Sequence, residues 1–259
     1  MIIDLVPVWL LFFIVVGVVL LSSEIGYRMG RKIWGNAKAE RESPASAISG
    51  TILGLQAFML AFTFGIVSDR YDLKKSLVRE EAGVIRSAWQ LSDFLPEPDR
   101  TKSRARLKEY LDQRVSLVAA GDTDAIIRSQ GDSLSIQREL WKIAVENGRR
   151  DLNSDVAALY VEALNELTNL HAKRIVVALH ARIPTTIWAV LMSLLVLGMI
   201  SVGYHTAIAE SRRSRVAPIL AVAFSLVIAL IAAVDNPGGR IMPVSQQPLI
   251  NLQSELVPD

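Results

Sequence analysis

The chain has no cysteine among its 259 residues, so no disulfide framework, thiolate metal site or cysteine nucleophile is possible. Histidine is nearly as scarce, with His171, His180 and His205 making up the whole set. The first two, on one expected helix, lie about 180° apart around its axis and do not suit a shared metal ion; His205 falls at the edge of an apolar block. There is no glycine-rich phosphate loop and no His-Glu-x-x-His helix. Glu80 and Glu81 are adjacent, so on a helix they diverge by about 100° and do not make a catalytic carboxylate pair. A net charge of +2 is too small to indicate a nucleic-acid partner. Neither an enzyme nor a cofactor is expected.

The most informative absence is of charge inside the apolar blocks. Hydrophobic residues make up 51% and charged residues 21%, ordinary averages that hide a sharp division. Residues 5–21, 48–67, 183–202 and 216–234 hold no Lys, Arg, Asp or Glu, whereas almost all the charge lies between them. A hydrocarbon core about 30 Å thick needs roughly 20 mainly apolar residues to be crossed by a helix. Amphipathic core helices of a soluble protein would carry charge on their outer face. The blocks are therefore read as four membrane spans. Trp9 suits an interfacial ring, and Pro184 and Pro218 stand in first turns, where a missing N–H costs little. A cleaved leader is not expected, since Asp4 stands where a basic region would be and no small-x-small site is clearly placed.

Between the second and third spans the pattern is helical. Apolar residues of 71–94 recur near the 3.6 period (Leu73, Leu77, Val78, Val84, Ile85, Ala88, Leu91) until Pro96 and Pro98 stop them. A second helix over 104–119 carries Leu107, Tyr110, Leu111, Val115 and Val118 on one stripe. Gly121-Asp122-Thr123-Asp124 reads as a turn, 133–146 as a third helix ending near Gly148, and Ser154 or Asp155 as the cap of a last helix leading into span 3. No stretch reads as a strand. The expected class is all-α: a four-span helical membrane protein with a helical extramembrane domain inserted between spans 2 and 3. Its divisions are 1–67 (spans 1 and 2), 68–182 (the domain), 183–234 (spans 3 and 4) and 235–259 (a C-terminal tail).

Four spans put the N-terminus, the domain and the C-terminus on one side. Basic residues near span ends normally mark the cytoplasm. Here eight flank the short loops and nine the domain side, so charge alone leaves the orientation open.

Span 2 differs from the aliphatic spans 1 and 4. It contains Ser49, Gly50, Thr51, Gly54, Gln56, Thr63 and Gly65 together with Phe58, Phe62 and Phe64. Small residues allow close helix approach, and polar ones are rarely left facing lipid. Ser49, Gln56 and Thr63 form one seam. Phe58 and Phe62 lie on nearly the opposite side, with Thr51, Leu55, Ile66 and Asp69 close to their line. Either one seam packs inside the subunit and the other meets lipid, or the aromatic line forms rings around a pore that gates by dewetting.

The stretch 58–72, Phe-Met-Leu-Ala-Phe-Thr-Phe-Gly-Ile-Val-Ser-Asp-Arg-Tyr-Asp, resembles the second span of the bestrophin anion channels. There, two phenylalanines four apart are followed by an arginine and an aromatic residue, matched by Phe58, Phe62, Arg70 and Tyr71. The layout is still more similar to a bacterial bestrophin-like membrane protein family, with Phe62-Thr63-Phe64, Asp69-Arg70-Tyr71-Asp72, Glu80-Glu81-Ala82 and, after span 4, Asp235-Asn236-Pro237-Gly238-Gly239 in place of the bestrophins' Asn-Pro-Phe-Gly.

The resemblance implies a homo-pentamer around one pore lined by span 2, with Phe58 and Phe62 as its neck and anions such as chloride as its cargo. Thr51, Ile66, Asp69, Arg70 and Lys74 would line the pore or its mouth, and Asp235, Asn236, Pro237 and Gly239 would form the motif after span 4. It also implies a cytoplasmic domain and residence in the bacterial inner membrane. Two departures stand out. Gly54 replaces the aliphatic residue that completes the neck, widening the upper ring or shifting it to Leu55. Arg240, Ile241 and Met242 follow Gly239 where calcium-gated members have an acidic run, so a clasp of several carboxylate oxygens has no residues to build it. The competing expectation is a non-conducting membrane scaffold whose helical domain docks a protein partner. The partners common to both are the lipid bilayer and, for the channel, other copies of the chain.

Overall fold

The computed structural model describes residues 6–34, 42–120, 123–180, 182–209, 217–236 and 242–256. Among them the helices are α1 (Val8–Trp34), α2 (Glu42–Leu91), α3 (Asp99–Ala120), α4 (Thr123–Arg150), α5 (Asp155–His180), α6 (Thr185–Ile208), α7 (Ala217–Asp235) and α8 (Gln247–Glu255), with a short 3-10 turn at Ser92–Phe94 and no strand. Four of them, α1, α2, α6 and α7, are long and apolar enough to cross a membrane. The chain divides into two compact units, residues 1–69 with 182–236 and residues 70–181 with 237–259.

In the first unit α1 packs against α6 and α7. The contact with α6 is backbone to backbone. A Cβ on Gly26 would lie 2.0 Å from the Ile200 carbonyl oxygen, one on Gly203 2.0 Å from that of Ser23, and one on Gly30 2.7 Å from the Ala207 Cβ. Gly26 and Gly30 are one turn apart, the small-xxx-small spacing by which apolar helices gain contact area without a hydrophobic driving force. The Ser49 and Ser201 hydroxyls, 2.7 Å apart, join α2 to α6, and Gly198 lies against Ile52 and Leu53. Trp188, Leu191, Leu195 and Met199 of α6 and Ala221, Ile228 and Ile231 of α7 fill the interior, while Trp9, Phe13, Leu21 and Ile219 remain exposed, as side chains that meet lipid should be.

The first span is longer than expected: α1 continues past Leu21 to Trp34, with an Arg28–Glu24 pair at 2.8 Å supporting the turn beyond the apolar block.

The second unit has a hydrophobic core of its own. Leu77, Val78, Ile85 and Ala88 of α2 meet Leu107 and Leu111 of α3, Leu140 and Ala144 of α4, and Leu164 and Leu167 of α5. The segment expected as a tail supplies α8, whose Leu249 and Leu252 are buried in the same cluster. Arg86–Glu255 (2.6 Å) and Gln253–Asp112 (2.7 Å) hold its rim.

Helix α4 is longer than the expected 133–146. It starts at Thr123, and Gly148 does not end it, because Asn147 Nδ2 and Arg150 both donate to the buried Asp99 carboxylate at 2.9 Å and tie down the last turn. Such ties outweigh the cost of one interior glycine, about 1 kcal/mol. Ser154 does cap α5, its Oγ accepting the Ala157 amide at 3.2 Å. Gly121 and Asp122 of the expected turn lie outside the described residues.

Candidate functional site

Helix α2 runs unbroken for 50 residues and carries span 2 from the first unit into the second. Within the first unit its two seams have opposite fates. Ser49, Gln56, Leu60, Thr63 and Val67 are buried. The Thr63 hydroxyl donates to the Met59 carbonyl at 2.7 Å, and Gln56, fully buried, has no hydrogen-bond partner for either amide atom. The polarity of span 2 is thus spent largely inside the subunit.

The opposite arc is open. Phe58 is 65% and Phe62 57% exposed, and Leu55 also lies bare. Thr51 and Gly54 are exposed and Ile66 is half-buried. Nothing of the described chain comes within 4 Å of a Cβ built on Gly50, Gly54 or Gly65. Thr51 gives its hydroxyl proton to the Ala47 carbonyl (2.9 Å), so even this polar residue has its donor satisfied within its own helix. The result is a strip of aromatic and aliphatic groups broken by glycine.

Beyond the span, Asp69 is exposed and Arg70 and Lys74 are half-buried. In the second unit Lys75 lies 3.6 Å from Asp72 and 5.1 Å from the centre of the Tyr71 ring, and the Tyr71 hydroxyl donates to the Pro243 carbonyl at 3.4 Å. Of the motif after span 4, Asp235 accepts the Ile183 amide at 3.1 Å at the start of α6. Asn236 is exposed, and Pro237 and Gly239 lie outside the described residues.

A second polar centre, unforeseen from the sequence, sits in the core of the second unit. Glu81 is fully buried. Its carboxylate accepts the Tyr110 hydroxyl at 2.9 Å and Arg114 Nε at 3.1 Å, and forms an ion pair with Arg174. The Tyr110 oxygen is 3.1 Å from His171 Nδ1. Burial pushes the Tyr110 phenol up to about 12, so it stays protonated. Burial, reinforced by the Arg114 charge, brings the His171 imidazole down to about 4. Adjacent Glu80 is exposed. The divergence of the two carboxylates thus puts one in the core and the other at the surface.

No curated protein and no solved structure matches the chain. A family model described as the bestrophin-like domain matches residues 28–249, a stretch that takes in the end of α1, all of span 2 with its exposed aromatic strip, the Glu81 centre and the spans that follow. The chain belongs to the bestrophin-like family.

Proposed function

We propose that the chain is the subunit of a homo-oligomeric, pentameric anion channel in the bacterial inner membrane, with its helical domain in the cytoplasm and no enzymatic activity. The observation that carries this reading is the exposure of Phe58 and Phe62 on a span whose polar seam is turned inward. Subunits arranged about an axis with this arc inward would stack two aromatic rings one turn apart. A constriction of that kind conducts only when wetted, and so can gate. Thr51, Gly54 and Leu55 would line the pore on one side of the neck and Ile66 on the other. Arg70 and Lys74 would raise the local anion concentration at the inner mouth, with Asp69 beside them. The bare glycines of the same arc support close approach between subunits.

The test is current across a planar bilayer containing the purified protein. Wild type should pass chloride, and Phe58→Ala/Phe62→Ala should pass it with altered gating; silence from both overturns the reading.

A scaffold that docks a protein partner is the second reading. A groove of about 840 Å³ in the second unit, lined by Trp89, Asp93, Arg104, Lys108 and Glu109, favours it, as does the nearby exposure of Phe94. That reading predicts a silent bilayer and a partner lost on Lys108→Glu.

A further inference from the structure

Glu81 follows Val67, the end of the apolar block of span 2, in the sequence of α2. Its three partners come from two other helices: Tyr110 and Arg114 from α3 and Arg174 from α5. One carboxylate therefore holds α2, which emerges from span 2, to α5, which ends at His180 just ahead of span 3. All four side chains are largely withdrawn from water, with Glu81 at 0%, Arg114 at 11% and Arg174 at 13% side-chain exposure and Tyr110 at 0%.

The proton positions in this cluster follow from the bonds. Glu81 is ionised between two guanidinium groups, so it can only accept, and the single proton of the Tyr110 hydroxyl goes to it. The Tyr110 oxygen must then accept from His171, which fixes the Nδ1–H tautomer of a neutral imidazole. His171 Nε2 is left as a buried lone pair with no partner, in a residue only 3% exposed.

Tyr110 and Arg114 of α3 act on the ring directly, and Glu81 of α2 is reached through the Tyr110 hydroxyl; Arg174, three residues along α5, pairs with Glu81, and α4 brings the uncharged Gln137 to Tyr110. Two positive charges already stand against one negative. A proton on His171 would add a third positive charge and a buried N–H with no acceptor, both costly in a dry interior. The cluster accepts that proton far more readily once it opens to water.

We propose that His171 is the trigger of an acid-operated latch, whose protonation releases Tyr110 from Glu81 and lets α5 part from α2, the two helices that join the second unit to spans 2 and 3. The latch is closed above the ordinary histidine range. Linkage then favours the open form by about one decade per pH unit as pH falls below roughly 6.5, levelling off near the folded-state value of about 4.

Hydrogen–deuterium exchange on the full chain in lipid nanodiscs tests this without any need for current, so a silent bilayer leaves the latch untouched. After correction for intrinsic exchange, protection in 76–88 and 164–177 should fall about thirty-fold between pH 7.5 and pH 5. His171→Gln and His171→Phe, which cannot charge, should keep it. Uniform protection in the wild type across this range overturns the latch, and so does an equal loss in either variant that folds. Should neither fold, the wild type decides: a fall confined to those two segments supports the latch, and a fall spread over the whole unit overturns it.

Discussion

The carboxylate of Asp235, the last residue of α7, accepts the amide N–H of Ile183 at 3.1 Å just before α6 begins. Pro184 follows with no N–H of its own, and its carbonyl accepts the Ile187 amide to open the helix. A negative charge beside this N-terminus is favoured by the helix dipole as well as by the hydrogen bond. The residue that opens the motif after span 4 is thus a clasp between the start of span 3 and the end of span 4. Asp235→Ala should lower stability by about 1–2 kcal/mol and Asp235→Asn, which keeps an acceptor, by roughly half as much. Thermal unfolding in detergent compares the two; equal losses would mean that the charge does not matter.

The α1–α6 crossing leaves no such latitude. Carbonyl oxygens stand 2.0 Å from where a Cβ would be at Gly26 and Gly203, and neither is the movable end of a side chain. Gly203→Val or Gly26→Val must push the two helices apart along the whole crossing, a change expected to exceed about 4 kcal/mol. Gly17, on the same helix with open space around it, is the control, and Gly17→Val should be tolerated. Yield of monodisperse protein after detergent extraction separates the two cases.

What the sequence makes legible divides along physical lines. The spans are legible because hydrocarbon permits only long uncharged helical runs. Their ends are not, since the Glu24–Arg28 pair extends α1 with residues that a hydropathy reading discards. The opposition of Gln56 and Phe58 follows from the helical period alone. Which arc turns inward does not, because it depends on where α6 packs. Glu81 carries a signal that is easily missed: it lies one turn from both Leu77 and Ile85, on the apolar stripe, whereas Glu80 lies off it. His171, one turn beyond Leu167, repeats the pattern on α5. A charge or imidazole inside an apolar stripe announces a buried partner on another helix. Which helix supplies it depends on tertiary packing.

The Glu81 centre makes the last prediction, one in which removal and replacement should have opposite outcomes. Glu81→Ala strips the shared anion from Arg114 and Arg174 and leaves two buried guanidinium groups uncompensated, a loss of roughly 3–5 kcal/mol. Glu81→Gln keeps an acceptor for Tyr110 but not the charge, and should fall between wild type and Glu81→Ala. Replacing the whole set by apolar residues of similar size, Glu81→Met with Arg114→Leu and Arg174→Met, removes the desolvation penalty together with the attraction and should restore most of the lost stability. Denaturant unfolding of the second unit, followed through its Trp89 and Trp141 fluorescence against Trp→Phe controls for the remaining tryptophans, would order the four proteins. If the triple variant proves as weak as Glu81→Ala, the ions are needed for packing itself. If it recovers stability but no longer loosens in acid, the charged centre is retained for release rather than for strength.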